Sequence, residues 1–323
     1  MKELVKLAID IYDKKTGEFS VDDANEALRQ ELVSLTGTDK IDYKTMRRFK
    51  PEVFEILEEA LDVLVGRMIE EEFNGFAEVH NVDWGDSKRF TVENPDLFKV
   101  ALIADGTNNL RRQRLENGSL TVETFMRGVK IYEEFYRFLA GRIDWVKLVN
   151  KVGTSYNNKI YTLVYQAIYD SYSTLSATYG KTGTFSSATL SDLIQHVEAA
   201  AGVEATIYGT KNALGKVTTA QVSDNMKDVY NQQGFYGTFL GTPMQKVNQV
   251  HTPGTDTFAI DNNFLLIVPQ GGEKLVKIVI EGDSIIEEGN NKTNMDDSLE
   301  YIFKKKSGIA VVTASKYGIY RLS

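Results

Sequence analysis

The apolar residues follow two rhythms. Up to residue 72 they recur every three or four positions, the spacing of one helical face. In "PEVFEILEEALDVLVGRMIEEEF", Val53, Leu57, Leu61, Leu64 and Met68 make one stripe, and Pro51 suits the first helical position. Glu55, Glu58, Glu59, Asp62 and Arg67 fall elsewhere on that helix and are predicted to face water or a neighbouring chain. An earlier helix is predicted across "VDDANEALRQELVSL", with Ser20 placed to cap it three residues before Asp23. From Asn74-Gly75 the rhythm shortens. "FAEVHNVDW", "KRFTVE" and "LFKVALIAD" read as strands, and "LTVETFMRGVKIYEEF" as a return strand. The result is an extended ribbon with few large apolar clusters. A two-stranded hairpin is barely stable alone, so it needs something to lie against, such as another subunit.

The helical rhythm returns at Trp145. Val146, Val149, Val152, Tyr156, Ile160, Val164, Ile168 and Tyr172 keep one face through a long helix despite Gly153, with Asp144 as its cap. A helix of that length crosses a domain or touches several partners. "SATYGKTGTFSS" is predicted to be a loop. Residues 187–270 read as a compact unit: a helix at "SATLSDLIQHVEAAA", strands at "VEATIYG" and "MQKVNQV", and a buried strand at "FLLIVP". "KLVKIVIEG", "LEYIFKKKSGIAVV" and "KYGIYRLS" close the chain as strands.

Composition narrows the function. The 323 residues are 42% hydrophobic and 25% charged, ordinary for a folded chain. Lys+Arg 37 against Asp+Glu 45 gives a net charge of −8, which speaks against a dedicated nucleic-acid binder. There are no cysteines, so thiolate chemistry and disulfides are excluded, and a reducing compartment fits. No stretch approaches the length of a membrane span, and "MKELVKLAIDIYDKK" is no signal peptide.

The candidate chemistry is thin. "GTKNALGKV" (209–217) imitates a phosphate-binding loop, but five residues separate Gly209 from Gly215 and Val217 replaces the required hydroxyl. The plain reading is that Gly209 ends a strand and Lys211 begins a short surface helix. His80, His196 and His251 are scattered, so no metal site is predicted. Asp83 and Asp86 flank Trp84-Gly85, Glu287-Glu288 and Asp296-Asp297 are adjacent, and glycoside hydrolysis would need two carboxylates at a set separation. Solvated faces and turns explain such pairs equally well. Trp84 and Trp145 each suit a loop or interface anchor. "RRQR" (Arg111–Arg114) is a dense basic run at the presumed ribbon tip. It suits docking onto acids of a neighbouring subunit, with nucleic acid as the alternative. Lys304-Lys305-Lys306 is a second basic run.

The order of elements, with "IYGTKNAL", "DNNFLLIVPQGGEKLVKIVIEGDS" and the closing "KYGIYRL", resembles the major capsid proteins of tailed bacteriophages with the Hong Kong 97-type shell fold. The resemblance covers the chain from about residue 74. It implies an α+β wedge with a helical N-terminal arm region (1–73) and an extended loop (74–125) reaching over a neighbour. A peripheral domain with a spine helix (126–180), an axial domain (181–270) and C-terminal strands returning to the core (271–323) complete it. It further implies pentamers and hexamers in an icosahedral shell, assembled in the host cytoplasm, enclosing double-stranded DNA without sequence-specific binding. Scaffolding, portal and decoration proteins are the implied partners, with no membrane, catalysis, metal or cofactor.

Under this reading Trp84, Lys88, Arg111, Arg112 and Arg114 are expected at contacts between subunits, and Gly209 is a structural turn. Some members crosslink their subunits through a loop lysine. Lys88 lies in the ribbon but does not match that lysine, so no crosslinking is expected. Three other readings stay open: a nanocompartment shell of the same fold, an enzyme built on 181–270, and a nucleic-acid module using 111–114.

Overall fold

The computed structural model describes residues 75–92, 98–101, 105, 112–114, 118–134, 145–218, 223–271, 273–288, 298–313 and 316–323, with 58, 59, 61–63, 65, 66, 69, 70 and 73. The predicted helix at 21–35, Asp144 and Arg111 lie outside them.

The described positions between 58 and 73 are helical, and Leu61, Val65, Ile69 and Phe73 are buried at strict four-residue spacing. Among the described residues twelve strands follow: β1 (Ala77–Val82), β2 (Arg89–Val92), β3 (Gly118–Thr121), β4 (Phe125–Glu134), β5 (Gly180–Gly183), β6 (Ala205–Thr210), β7 (Thr238–Phe239), β8 (Thr242–Val247), β9 (Phe264–Pro269), β10 (Val276–Glu288), β11 (Ser298–Val311) and β12 (Gly318–Leu322). Four helices lie among them: α1 (Trp145–Ser171), α2 (Ser187–Ala201), α3 (Lys211–Gly215) and α4 (Asp224–Gln233).

The strands form a four-stranded sheet ordered β1-β10-β11-β4, a six-stranded sheet ordered β5-β12-β9-β6-β8-β7, and a ribbon of β2 and β3. In the first sheet β1 runs parallel to β10, and the other pairs are antiparallel. Several expectations therefore shift. "FAEVHNVDW" is a strand, but it belongs to the body sheet rather than to the ribbon. The described part of "LFKVALIAD" carries no strand, and Val100 is 98% exposed. The predicted return strand is two strands, broken at 122–124 where the chain leaves the ribbon for the body. "SATYGKTGTFSS" contains β5, whose glycines hide an edge strand pairing with β12. The closing strands divide: β10 and β11 join one sheet and β12 the other.

Helix α1 joins the two sheets. Val152, Tyr156, Ile160, Val164 and Ile168 are all buried, as their spacing requires. Tyr156 donates to the Lys305 carbonyl at 3.0 Å on β11. Near its other end Tyr165 and Tyr169 pack on Phe264 of β9, with ring centroids 6.4 and 5.9 Å apart. Phe73 meets Tyr161 at 4.9 Å, so the N-terminal helical segment is clamped to the same helix. Beyond α1, Arg321 of β12 lies 3.9 Å from the rings of both Tyr169 and Tyr172.

In the six-stranded sheet, β9 reads "FLLIVP" because both its faces are covered. Leu265 and Ile267 face Leu190, Leu193, Ile194 and Val197 of α2, while Phe264, Leu266 and Val268 join the α1 core. Ser186 caps α2, and Gly202 ends it at φ 69. Helix α4 escaped the sequence reading, although Ser223 and Gly234 mark its ends in the same way.

Strand β10 makes the ribbon's seat. Its side chains alternate faces. Val276, Ile278 and Ile280 enter the α1 core, while Val279 packs under the ribbon with Phe90 and Val122. A register shift between Glu281 and Ile285 lets Gly282–Ser284 bulge out.

Candidate assembly interface

The ribbon is amphipathic at its root. Along β2, Phe90 and Val92 are buried while Arg89 and Thr91 are exposed. Phe90 and Val122 seat on Val279, with Val82, Leu120 and Ala310 around them. Two glycines let the legs cross the sheet closely. A Cβ on Gly308 would stand 2.2 Å from the Glu123 carbonyl oxygen. One on Gly282, where φ is +67, would stand 2.1 Å from the Trp84 ring.

A polar clasp completes the root. Glu281, 2% exposed, accepts from the Gly85 amide at 3.0 Å on the ingoing leg and from the Thr124 hydroxyl on the outgoing leg. Lys306 of β11 donates to it at 2.7 Å. One carboxylate thus ties both legs to the sheet. The Lys306 hydrogen bond, then those of Thr124 and Gly85, hold its pKa down to about 2, against an ordinary 4.5. A depressed carboxyl stabilises the fold above its unfolded pKa, and that contribution is lost as pH falls through the folded value. Urea unfolding from pH 5 to pH 2 should therefore show an acid-labile component that Glu281→Gln lacks. Identical acid limbs would contradict the clasp.

Beside it, Lys277 is buried with Glu78 at 2.5 Å and sits 5.3 Å from the Phe90 ring centroid. The Lys277 hydrogen bond lowers the Glu78 pKa despite burial. His80 hydrogen-bonds Glu78 at 2.6 Å and meets Phe90 edge-on.

Farther out, Gln113 grips Lys99 through both main-chain groups, at 2.7 and 2.8 Å. On either side of it Arg112 and Arg114 are exposed, as are Phe98 and Val100. Lys88 is half-buried on the way into β2, and Trp84 is 45% exposed above Gly282.

Other sequence candidates resolve differently. Gly209 is no turn: it lies inside β6, paired with Lys246 and Leu265, and the chain bends after Thr210. A Cβ there would come within 3.0 Å of Leu265 and 3.2 Å of Leu214, so the residue serves close packing. Thr210 is buried and spends its hydroxyl capping Ala213 at 3.3 Å, so "GTKNALGKV" is a strand-to-helix joint. The lysine run is no basic patch. Lys304 pairs with Glu287, Lys305 with Asp62 and Lys306 with Glu281.

Asp62 and Glu58, expected to face water or a neighbouring chain, instead fasten their helix to the β10 bulge. Asp62 accepts from the Ser284 amide at 2.9 Å, and Glu58 from the Ile286 amide at 2.6 Å. Asp83 and Asp86 close a turn, with Asp86 N–H to Asp83 C=O at 3.1 Å. Asp296 and Asp297 lie outside the described residues. Among the described residues no cluster of three or more His, Asp or Glu could hold a metal, and no helix is long and apolar enough to cross a membrane.

Residues 1–321 match the profile of a family described as "SPbeta prophage-derived putative capsid protein YonB". The chain belongs to this family. No curated protein matches. Among solved structures, the bacteriophage PhiM1 mature capsid aligns with TM-score 0.53 at 11% identity, over 78% of this chain and 86% of that one. The capsid of an empty GTA particle gives 0.52 at 11% identity, over 78% and 89%. A Gordonia phage Cozz structure gives 0.50 at 13% identity, over 80% and 86%. The fold is thus the mixed α+β capsid fold of the Hong Kong 97 type. Family membership makes the chain a structural shell protein of the virion rather than a catalyst.

Proposed function

We propose that the chain is the major subunit of an icosahedral shell that encloses double-stranded DNA without reading its sequence. The family match over residues 1–321 carries this reading. The ribbon supports it physically, because a two-stranded element projecting from its seat gains little from its own fold and much from a neighbour. In this reading α1 is the spine helix and 126–180 the peripheral domain. The axial domain is 181–270, and 271–323 return to both. The extended loop is 74–125, with its free part starting beyond β1. Residues 1–73 form an N-terminal arm region. Pentamers and hexamers assemble in the host cytoplasm, with scaffolding, portal and decoration proteins as partners of the completed particle. Symmetric closure multiplies modest contacts over many copies.

Expression of the chain, alone and then with its neighbouring genes, tests the proposal by size-exclusion chromatography and negative-stain electron microscopy. Closed shells, or rings of five or six, are the expected result. A persistent monomer under both conditions rejects the reading. Shells filled with protein instead of DNA move it to a nanocompartment.

A further inference from the structure

The turn at Asp83–Asp86 borders a cleft of about 450 Å3. Its walls are the N-terminal helical segment at Asp62 and Gly66, the end of β1, and the β10 bulge at Gly282 and Asp283. Trp84 stands in this wall. Its indole lies against the bare backbone of Gly282, leaving 45% of the residue exposed. Rigid, half-open aromatic plates of this kind are frequent anchors of protein contacts.

The charges around it are unevenly used. Asp62 and Lys305 neutralise each other inside the cleft. Asp83 and Asp283 line it, Asp86 adjoins it, and all three are exposed without an ion pair among the described residues. A fixed tryptophan flanked by unpaired carboxylates suits a guanidinium, which stacks on the ring while its N–H groups reach the acids.

The same chain displays such groups. Arg112 and Arg114 are exposed, have no ion pair among the described residues, and neighbour the exposed Phe98 and Val100. They lie on the outer part of the ribbon, whereas the Trp84 cleft lies at its root, and no described residue of 98–114 lines that cleft. Arginines and acids at opposite ends of one element match between copies, head to tail. Such a contact between unlike surfaces closes into a ring when the rotation allows.

We propose that the Trp84 cleft of one subunit receives Arg112 or Arg114 from the ribbon of the next copy. This rests on the shell reading and deepens it, by naming the surface that the ribbon occupies.

A double-mutant cycle on shell yield tests it. Arg112→Gln with Arg114→Gln removes the donors, and Asp83→Asn with Asp283→Asn removes the acceptors. The Asp→Asn changes are isosteric, the Arg→Gln changes keep a polar side chain, all four positions are exposed, and circular dichroism checks that the monomers fold. Each pair is expected to lower shell yield about tenfold, and the combination to be no worse than either pair alone, since coupled residues are non-additive. Yields equal to wild type, or losses that multiply in the combination, overturn the pairing while leaving the shell reading intact. A wild-type chain that never forms shells removes both. A second readout uses a Trp145→Phe background, in which Trp84 is the remaining tryptophan. Its emission should change on assembly, and unchanged emission in intact shells also overturns the proposal.

Discussion

Gly308→Ala is expected to loosen the ribbon from the body and to cost about 2–3 kcal/mol, the upper part of the range for a forced insertion. The new methyl would sit 2.2 Å from the Glu123 carbonyl oxygen and 2.8 Å from a Val122 methyl. The nearest of these is backbone, so no rotamer change relieves it. The 122–124 segment must lift, and lifting it draws Val122 off Val279 and Thr124 off Glu281. The apolar seat and the polar clasp therefore fail together. The signature is a fall of roughly 5 °C in Tm, together with faster amide exchange in β2 and β3 and poor shell assembly. An unchanged Tm with normal particles would show that the crossing is not as close as described.

Asp62→Ala, in the N-terminal helical segment, should cost about 3 kcal/mol. Breaking a fully buried pair costs about 3–5 kcal/mol, and Asp62 is 25% exposed, so the lower end applies. Its carboxylate holds the Ser284 amide, the Ser284 hydroxyl and the Lys305 ammonium. Lys305 is 5% exposed, so removing Asp62 strands a cation inside the protein. Adding Lys305→Met should recover most of the loss, because an apolar chain of similar length needs no partner. Urea midpoints of the three variants decide it. An Asp62→Ala midpoint near wild type would mean that water reaches Lys305.

Much of the architecture was legible where one residue pattern had one cause. The 187–201 helix carries its cap, its stripe and its terminal glycine within the segment, and "FLLIVP" is apolar throughout because it lies between two covered faces. Pairings between distant residues were hidden. "DWGD" reads as an ordinary turn. Nothing local says that Glu281 holds its Gly85 amide, or that Gly282 exists to admit Trp84. Lys304, Lys305 and Lys306 look like a basic patch until their strand is paired, when each finds an acid from another element. Periodicity alone puts Asp62 and Glu58 toward water or a neighbouring chain. A helix packed on a bulged strand presents its flank to unpaired amides, and carboxylates are what satisfy them. At the candidate interface, Trp84 and the arginines stood out as residue types. The tip position of "RRQR" was legible in the sequence, whereas the place of Trp84 against Gly282 at the ribbon's root is revealed only by the fold.

Both large sheets pair strands far apart in the chain: Ala77 pairs with Val276, and Ile319 with Gly180. Such long-range pairing closes slowly, because loop entropy is lost before the contacts return it. It also means that neither sheet is complete while the last strands are still being synthesised, and that the ribbon has no seat until β10 and β11 arrive. A half-made polypeptide therefore lacks both finished sheets and the seat that holds the ribbon. In the shell reading, growing chains on one polysome are expected not to polymerise with one another, and each subunit to join a lattice only as a finished molecule.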